Sequence, residues 1–254
     1  MKLFANGCSF TWGAEILENQ FGIMPMPFDN ISEDSIKYET FREKHVWAYF
    51  LKEKFHDVEK YDNLARGGSS NKRIVRTTLD YFLNLIDKGI RVDDYIAVIQ
   101  WSDISRTEVY DKSINDYPYM TIRGVRYPDI KDQSHLVYTY NNFVKERYKL
   151  DEQNFKDEFR NEIILLSSFF DQHNIKYVFC LMNERSADIQ PGYCTDNIIW
   201  LGATKSTTSI SSVLKRYESE FDRSCFYPES HPNILGHKII AKTVYNRLKE
   251  LYNL

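Results

Sequence analysis

Ser9 lies in the short stretch Gly7-Cys8-Ser9-Phe10, which follows an apolar run over residues 1–5. That run predicts a buried strand, and a glycine two residues after it predicts a sharp turn. In an open α/β sheet, ligands bind in the crevice outside the carboxyl ends of the strands. The turn therefore places a hydroxyl, which acts as a nucleophile once a neighbouring base activates it, where a ligand would bind.

Two other predicted strands end in similar turns. A strand over about 58–64 runs into Gly67-Gly68-Ser69-Ser70-Asn71, and the strongly apolar stretch 95–101 runs into Ser102-Asp103. Near its end the sequence reads His231-Pro232-Asn233, just before a last helical pattern. Ligand binding at the carboxyl ends of parallel strands predicts that these turns surround one crevice.

The order of these segments resembles the SGNH (GDSL-type) hydrolases, and the similarity spans nearly the whole chain. That family carries a serine nucleophile, an oxyanion glycine, an oxyanion asparagine and a catalytic histidine in this order. The start Gly-Cys-Ser-Phe-Thr and the stretch 63–71 are similar to a phage and bacterial subgroup of the family. The resemblance implies a flavodoxin-like three-layer α/β/α sandwich with a parallel sheet of about five strands. It also implies serine-dependent ester hydrolysis through an acyl-enzyme.

Carried over residue by residue, the resemblance makes Ser9 the nucleophile and His231 the general base. The backbone N–H groups of Ser9 and Gly68 would then stabilise the oxyanion that forms on the substrate carbonyl. Gly68 is alternatively an ordinary turn glycine. His237, in the last predicted helix, is the rival for the role of base, and the position of His231 at the helix start favours His231.

Two positions depart from the family pattern. Ser102 stands where the third block of the family has the oxyanion asparagine. Either the Ser102 hydroxyl replaces this oxyanion donor, or Asn71 reaches in from the second turn, or the donor is missing. Pro228 stands where the last block has aspartate, and Glu229 is the nearest carboxylate before His231. Glu229 either orients the imidazole as the third catalytic residue or is a solvated loop charge; in the latter case a backbone carbonyl orients a serine–histidine dyad.

The remaining reactive residue types carry less information. Cys8, at the end of a buried strand, is expected to be an inert small hydrophobe rather than a nucleophile. The four cysteines are widely separated and the six histidines show no ligand spacing, so no disulfide framework, metal or other cofactor is expected. Arg73, Arg76 and Arg106 flank the predicted turns, either as solvated charges or as contacts for an anionic substrate.

Composition narrows the choice of partners. With 33 Lys and Arg against 36 Asp and Glu, the chain lacks the basic field typical of nucleic-acid binding. It carries no signal sequence or membrane span, so a cytoplasmic protein is expected, with virion association if it is phage-encoded. Most of the 16 phenylalanines are expected in the core, whereas the 18 tyrosines favour amphipathic surfaces for a polar ligand such as a sugar, or for a protein partner. Composition says nothing about the oligomeric state.

The elements that must position these residues are expected within a single domain of residues 1–254. Besides the three strands above, a fourth is expected over 175–181. Helices are expected over 45–55, about 70–88, 152–172, 213–221 and from Pro232 onwards. A further helix is expected to begin at about residue 142. The segments 15–44 and 104–140 lack a clear period and are expected to be irregular insertions that wall the site, the second as a possible lid.

The expected substrate is accordingly a small-molecule or glycan ester, such as an O-acylated carbohydrate. Two alternatives use the same fold. One is a non-catalytic binding or structural module with a decayed site, which the departures at Ser102 and Glu229 favour. The other is an acyltransferase that uses the same serine and histidine.

Overall fold

A computed structural model describes residues 1–23, 33–108, 119–120, 146, 152–182, 200–202, 205–228 and 230–254. Within these ranges the chain folds around a parallel sheet that has a separate apolar core on each of its two faces. Helices cover both faces, so the fold class is α/β with three layers, as the sequence predicts.

The four strands of this sheet are β1 (Lys2–Asn6), β2 (Lys60–Asn63), β3 (Tyr95–Trp101) and β6 (Lys176–Leu181), in the spatial order β2-β1-β3-β6. A short antiparallel pair, β4 (Thr107–Glu108) and β5 (Tyr119–Met120), follows β3 in the chain. The helices are α1 (Ser9–Trp12), α2 (Ile16–Phe21), α3 (Glu33–Lys44), α4 (Trp47–Lys54), α5 (Asn71–Asp87), α6 (Glu152–Gln172), α7 (Lys205–Thr208), α8 (Ile210–Phe221) and α9 (Ile234–Tyr252).

The two cores follow from the alternation of side chains along each strand. In β1, Leu3 and Ala5 join the core with α4, α8 and α9, whereas Phe4 points to the opposite core with α5 and α6. Every residue of β3 is buried, as a central parallel strand requires. All neighbouring strands run parallel, so β1, β2 and β3 end at one edge of the sheet.

Several predicted elements are confirmed. The bounds of β3 are as expected, and α5 begins directly after Ser70, whose side chain caps the helix by accepting from the Arg73 N–H at 3.1 Å. The last helix begins slightly later than expected. Asn233 caps it by accepting from the Gly236 N–H at 2.9 Å, so Pro232 precedes the helix instead of opening it.

The interpretation of 15–44 as irregular is wrong for its described part, which contains α2 and α3. Arg42 attaches α3 to the first turn, because its guanidinium contacts the Trp12 carbonyl and lies 4.5 Å from the Trp12 ring. The described sheet has four strands rather than about five, although Trp200 and Ser209 form isolated parallel bridges to β6. Most of the predicted insertion 104–140 and the helix expected near residue 142 lie outside the described residues.

None of the helices in the described ranges combines the length and the apolar character needed to cross a membrane.

Phe82 and Leu83, neighbours on α5, test the placement of this helix. Phe82 is fully buried, with its ring centroid 5.0 Å from that of Phe4 and 5.7 Å from that of Phe170, whereas Leu83 is 45% exposed. We expect Phe82→Ala to lower the free energy of unfolding by about 3–5 kcal/mol, because it leaves a cavity. The matched Leu83→Ala should change it by less than about 0.5 kcal/mol. Urea denaturation measures both, and equal losses would contradict the described face of α5.

Candidate active site

The side chain of Asn6, the last residue of β1, fixes the start of the first turn. Its Oδ1 accepts from the Gly7 N–H at 2.8 Å. Its Nδ2 lies 3.2 Å from the Ile74 carbonyl and 2.9 Å from the hydroxyls of Thr77 and Thr78. Asn6 is fully buried, so these contacts satisfy an amide that would be costly to leave unpaired. They also hold the turn against α5.

Ser9 follows on the single helical turn α1. Its carbonyl accepts from the N–H groups of Gly13 and Ala14 at 2.9 and 3.0 Å. Gly13 has a φ of 85°, which ends the helix in the left-handed region. The Ser9 hydroxyl oxygen lies 3.9 Å from Cys8 Sγ, and the residue is 6% exposed. The predicted position of Ser9, on a sharp turn at the carboxyl end of β1, is therefore the observed one.

The second turn packs directly against the first. The Arg66 N–H donates to the Gly7 carbonyl at 3.3 Å, and Gly67 lies so close to Trp12 that a Cβ on it would be 3.2 Å from the indole. Gly68 has a φ of 75°, a conformation that favours glycine. In the described part of the chain, the N–H groups of Ser9 and Gly68 donate no hydrogen bond.

The third turn is tied to the second by Asn71. Asn71 Oδ1 accepts from the Ser102 N–H at 2.7 Å, and Nδ2 lies 3.4 Å from the Ser102 carbonyl. Both residues are buried. The two positions considered for the missing oxyanion donor therefore lie side by side, and Asn71 holds the backbone of Ser102.

His231 contacts a carboxylate that sequence reasoning missed. Its Nδ1 lies 2.5 Å from Oε1 of Glu15, which stands only a few residues after Ser9. The Glu15 side chain is 5% exposed, and the His231 side chain is 24% exposed. The ring of Phe10, the neighbour of Ser9, packs edge-on against the imidazole with the centroids 5.6 Å apart. Glu229, the carboxylate expected from the sequence, lies outside the described residues.

The backbone is strained on both sides of this contact. Glu15 has a φ of 69°, and Ser230, directly before His231, has a φ of 72°. Left-handed conformations of non-glycine residues cost free energy and concentrate at functional sites. Burial raises the pKa of the Tyr227 phenol, and the negative charge of nearby Glu15 adds to that rise. Glu15 therefore places a buried carboxyl group in a restricted backbone geometry.

The structure brings the first turn and His231 together without a direct bond. In the described part, Ser9 Oγ and the His231 ring are not hydrogen-bonded to each other. The contact between the two segments runs through Phe10, within α1, and through Glu15, three residues after the end of α1. Such a bond is often absent or long without a substrate and tightens only in the reacting complex.

The other residues singled out in the sequence occupy different surroundings. His237 is fully buried, and its Nδ1 accepts from the Trp47 N–H at 3.1 Å. Cys8 is also fully buried, with Sγ 3.2 Å from Gln100 Oε1. Arg73 Nη1 donates to the Leu64 carbonyl and to Ser69 Oγ, and Arg76 forms a bidentate pair with Glu108. Arg106 lies between the third turn and β4.

Within the described ranges, no three histidine, cysteine or acidic side chains come together in a group that could hold a metal ion.

The chain belongs to a family of unknown function (DUF6071), whose model matches residues 26–244. This match includes His231 and begins after Ser9 and Glu15. No curated protein matches the sequence.

Several solved structures are similar to the chain, including the following two. One is the protein YxiM from Bacillus subtilis, with a TM-score of 0.49 and 13% identity over 98% of this chain and 56% of that one. The other is a carbohydrate esterase family 2 enzyme plus carbohydrate binding domain from Corynascus thermopiles (Myceliophthora fergusii). It has a TM-score of 0.45 and 12% identity, over 100% of this chain and 67% of that one. The chain thus spans little more than half the length of YxiM.

We expect His237 to make the free energy of unfolding depend on pH. Burial lowers its pKa from 6.5 to about 3, so between these values the unfolded chain binds a proton that the folded chain does not. Stability should therefore fall as the pH drops from 6.5 towards 3, with this residue contributing at most about 1.4 kcal/mol per pH unit. We expect His237→Gln to reduce the difference between the unfolding free energies at pH 7 and pH 4. Urea denaturation at the two pH values measures this difference. If it is the same in His237→Gln as in wild type, His237 is not the source of the pH dependence.

Proposed function

We propose that the protein is a serine-dependent ester hydrolase of the SGNH type, with Ser9 as nucleophile and His231 as general base. The observation that carries the proposal is the contact between His231 Nδ1 and Glu15 Oε1, beside the turn that presents Ser9. A base whose far nitrogen is held by a buried carboxylate is the arrangement that activates a serine. Glu15 is then the third member of the triad, in place of Glu229.

Each group has one task in this mechanism. Ser9 Oγ attacks the ester carbonyl while His231 Nε2 takes its proton. Glu15 accepts from Nδ1–H, which fixes the imidazole in the tautomer with a free Nε2 and stabilises the imidazolium that forms. The same proton then passes to the leaving alcohol. Water then attacks the carbonyl of the acyl-enzyme while His231 Nε2 takes its proton. That proton passes to Ser9 Oγ as the acid leaves, which regenerates the free enzyme.

The oxyanion of each tetrahedral intermediate needs fixed donors. We assign this role to the N–H groups of Ser9 and Gly68, which donate to nothing else in the described chain. As third donor we favour Asn71 over Ser102. The bond from the Ser102 N–H to Asn71 Oδ1 fixes the side-chain amide, and Nδ2 carries two hydrogens, of which only one points to the Ser102 carbonyl.

The proposed substrate is a small polar ester, and an O-acylated carbohydrate is the favoured class because the chain is rich in tyrosine. Transfer of the acyl group to a sugar hydroxyl would use the same residues and differs only in the acceptor. A non-catalytic module on the same fold is the second candidate. The serine at position 102, where the SGNH hydrolases have the oxyanion asparagine, favours it.

Ser9→Ala tests the nucleophile. We expect this variant to lose turnover of p-nitrophenyl acetate, because the acyl-enzyme has no oxygen on which to form. The wild type should be labelled at Ser9 by a fluorophosphonate, which reacts only with an activated serine. Peptide mapping locates the label, and circular dichroism checks that the variant is folded. Wild-type turnover in Ser9→Ala would overturn the mechanism, and an unlabelled wild type would favour the binding module.

Glu15→Gln tests the third member of the proposed triad. The amide keeps the shape of the side chain but cannot stabilise an imidazolium, so kcat should fall by about 10²–10⁴-fold. The matched control is Glu229→Gln, the same change at the carboxylate nearest to His231 in the sequence. We expect it to keep kcat within about threefold of wild type. The reverse pattern would return the role to Glu229.

A further inference from the structure

Gln100, the next-to-last residue of β3, contacts two residues of the turn that carries Ser9. Its Oε1 lies 3.1 Å from the Cys8 backbone nitrogen, 3.2 Å from Cys8 Sγ and 3.1 Å from Thr11 Oγ1. Gln100 is fully buried. One carbonyl oxygen thus accepts from the residues on both sides of Ser9 and Phe10.

The orientation of this amide follows from its partners. The Cys8 N–H is only a donor, so the atom of Gln100 that faces it must be the oxygen. The nitrogen Nε2 then points the other way and donates to the Trp101 carbonyl at 2.5 Å. Both ends of the side chain are therefore engaged, which leaves it little rotational freedom in a fully buried site.

Gly7 leaves the space that this contact needs. A Cβ on Gly7 would lie 2.4 Å from Thr11 Oγ1, 2.9 Å from Gln100 Oε1 and 3.0 Å from Gln100 Cβ. Gly7 is not among the glycines with positive φ, so close approach, and not a left-handed backbone, explains this glycine. The Gly-Cys-Ser-Phe-Thr segment and Gln100 thus fit each other although they are distant in sequence.

We propose that Gln100 is the positioning residue of the nucleophile turn, an inference that rests on the proposed role of Ser9. Because Gln100 takes the N–H of Cys8, the next N–H, that of Ser9, keeps its direction towards the oxyanion. The Thr11 contact holds the far side of the turn, so the Ser9 hydroxyl is fixed relative to His231. Gln100 does not touch the substrate and acts through the turn alone.

Gln100→Met separates this role from general stability. Methionine has a similar length, but its thioether is only a weak acceptor and cannot replace the carbonyl oxygen that accepts from Cys8 and Thr11. We expect kcat for p-nitrophenyl acetate and the rate of fluorophosphonate labelling to fall together, by about 10²-fold. KM should stay within about threefold of wild type, because the substrate surface is unchanged.

Tyr252→Phe is the control for the loss of a hydrogen bond elsewhere in the fold, here a partly buried one. The Tyr252 hydroxyl contacts the backbone of Tyr177 at 2.8 and 3.0 Å, at the start of β6 and away from the three turns. This variant should lower the Tm and leave kcat and the labelling rate unchanged. If Gln100→Met behaves in the same way, Gln100 is merely structural and the inference is overturned.

Gln100→Glu gives a second readout that a merely structural residue would not produce. A neutral glutamic acid can donate to the Trp101 carbonyl and accept from Cys8, as glutamine does, whereas the carboxylate cannot donate and adds negative charge near the oxyanion. Burial raises the pKa of such a carboxyl group. The kcat of the variant, divided by that of wild type at the same pH, should therefore rise as the pH falls from 8 to 5, with the fold checked by circular dichroism. A ratio that does not change with pH contradicts the inference.

The outcomes keep the two proposals apart. If Ser9→Ala is inactive and Gln100→Met turns over and is labelled like wild type, the positioning role fails and the hydrolase proposal stands. If the wild type is not labelled at Ser9, or Ser9→Ala remains active, the hydrolase proposal fails and the positioning role fails with it.

Discussion

The contact between Glu15 and His231 joins two segments separated by 216 positions in the chain, and the arrangement of the site depends on it. A carboxylate as buried as that of Glu15 is costly unless a donor compensates it, and the imidazole supplies that donor. The left-handed backbone at Glu15 and Ser230 adds a further cost. The buried carboxylate and the left-handed residues both lie between the first turn and the start of the last helix. This is where the proposed chemistry needs a fixed base.

The parallel sheet makes this contact possible by bringing distant turns to one edge. β1 lies between β2 and β3, so the turns that follow all three strands are neighbours. Side chains then bind one turn to the next. Asn6 fixes the first turn against α5, Asn71 joins the second turn to the third, and Gln100 joins the third strand to the first turn. Each is a buried amide that links its own segment to another one.

The sequence predicts the elements whose signal is local. β3 is apolar throughout and α5 has a serine cap, so both are found where expected. The helix α3 is missed because its apolar residues do not repeat at helical spacing; its attachment comes from Arg42 on Trp12, a tertiary contact. Glu15 is missed because its contact with His231 is also a tertiary one. No spacing links it to His231, and the nearest carboxylate in the sequence, Glu229, is the natural but local guess.

Gly7 illustrates how the structure sharpens the meaning of a motif. In the sequence it marks the end of a strand, and a glycine there is ordinarily attributed to turn conformation. The structure gives a different reason, because Thr11 and Gln100 occupy the volume that a Cβ would need. The segment Gly-Cys-Ser-Phe-Thr is therefore one half of an interface whose other half is Gln100. Gln100, which has no part in the proposed chemistry, thus connects β3 to the turn that carries Ser9. The proposed positioning of Ser9 therefore depends on Gln100 as well as on Gly7.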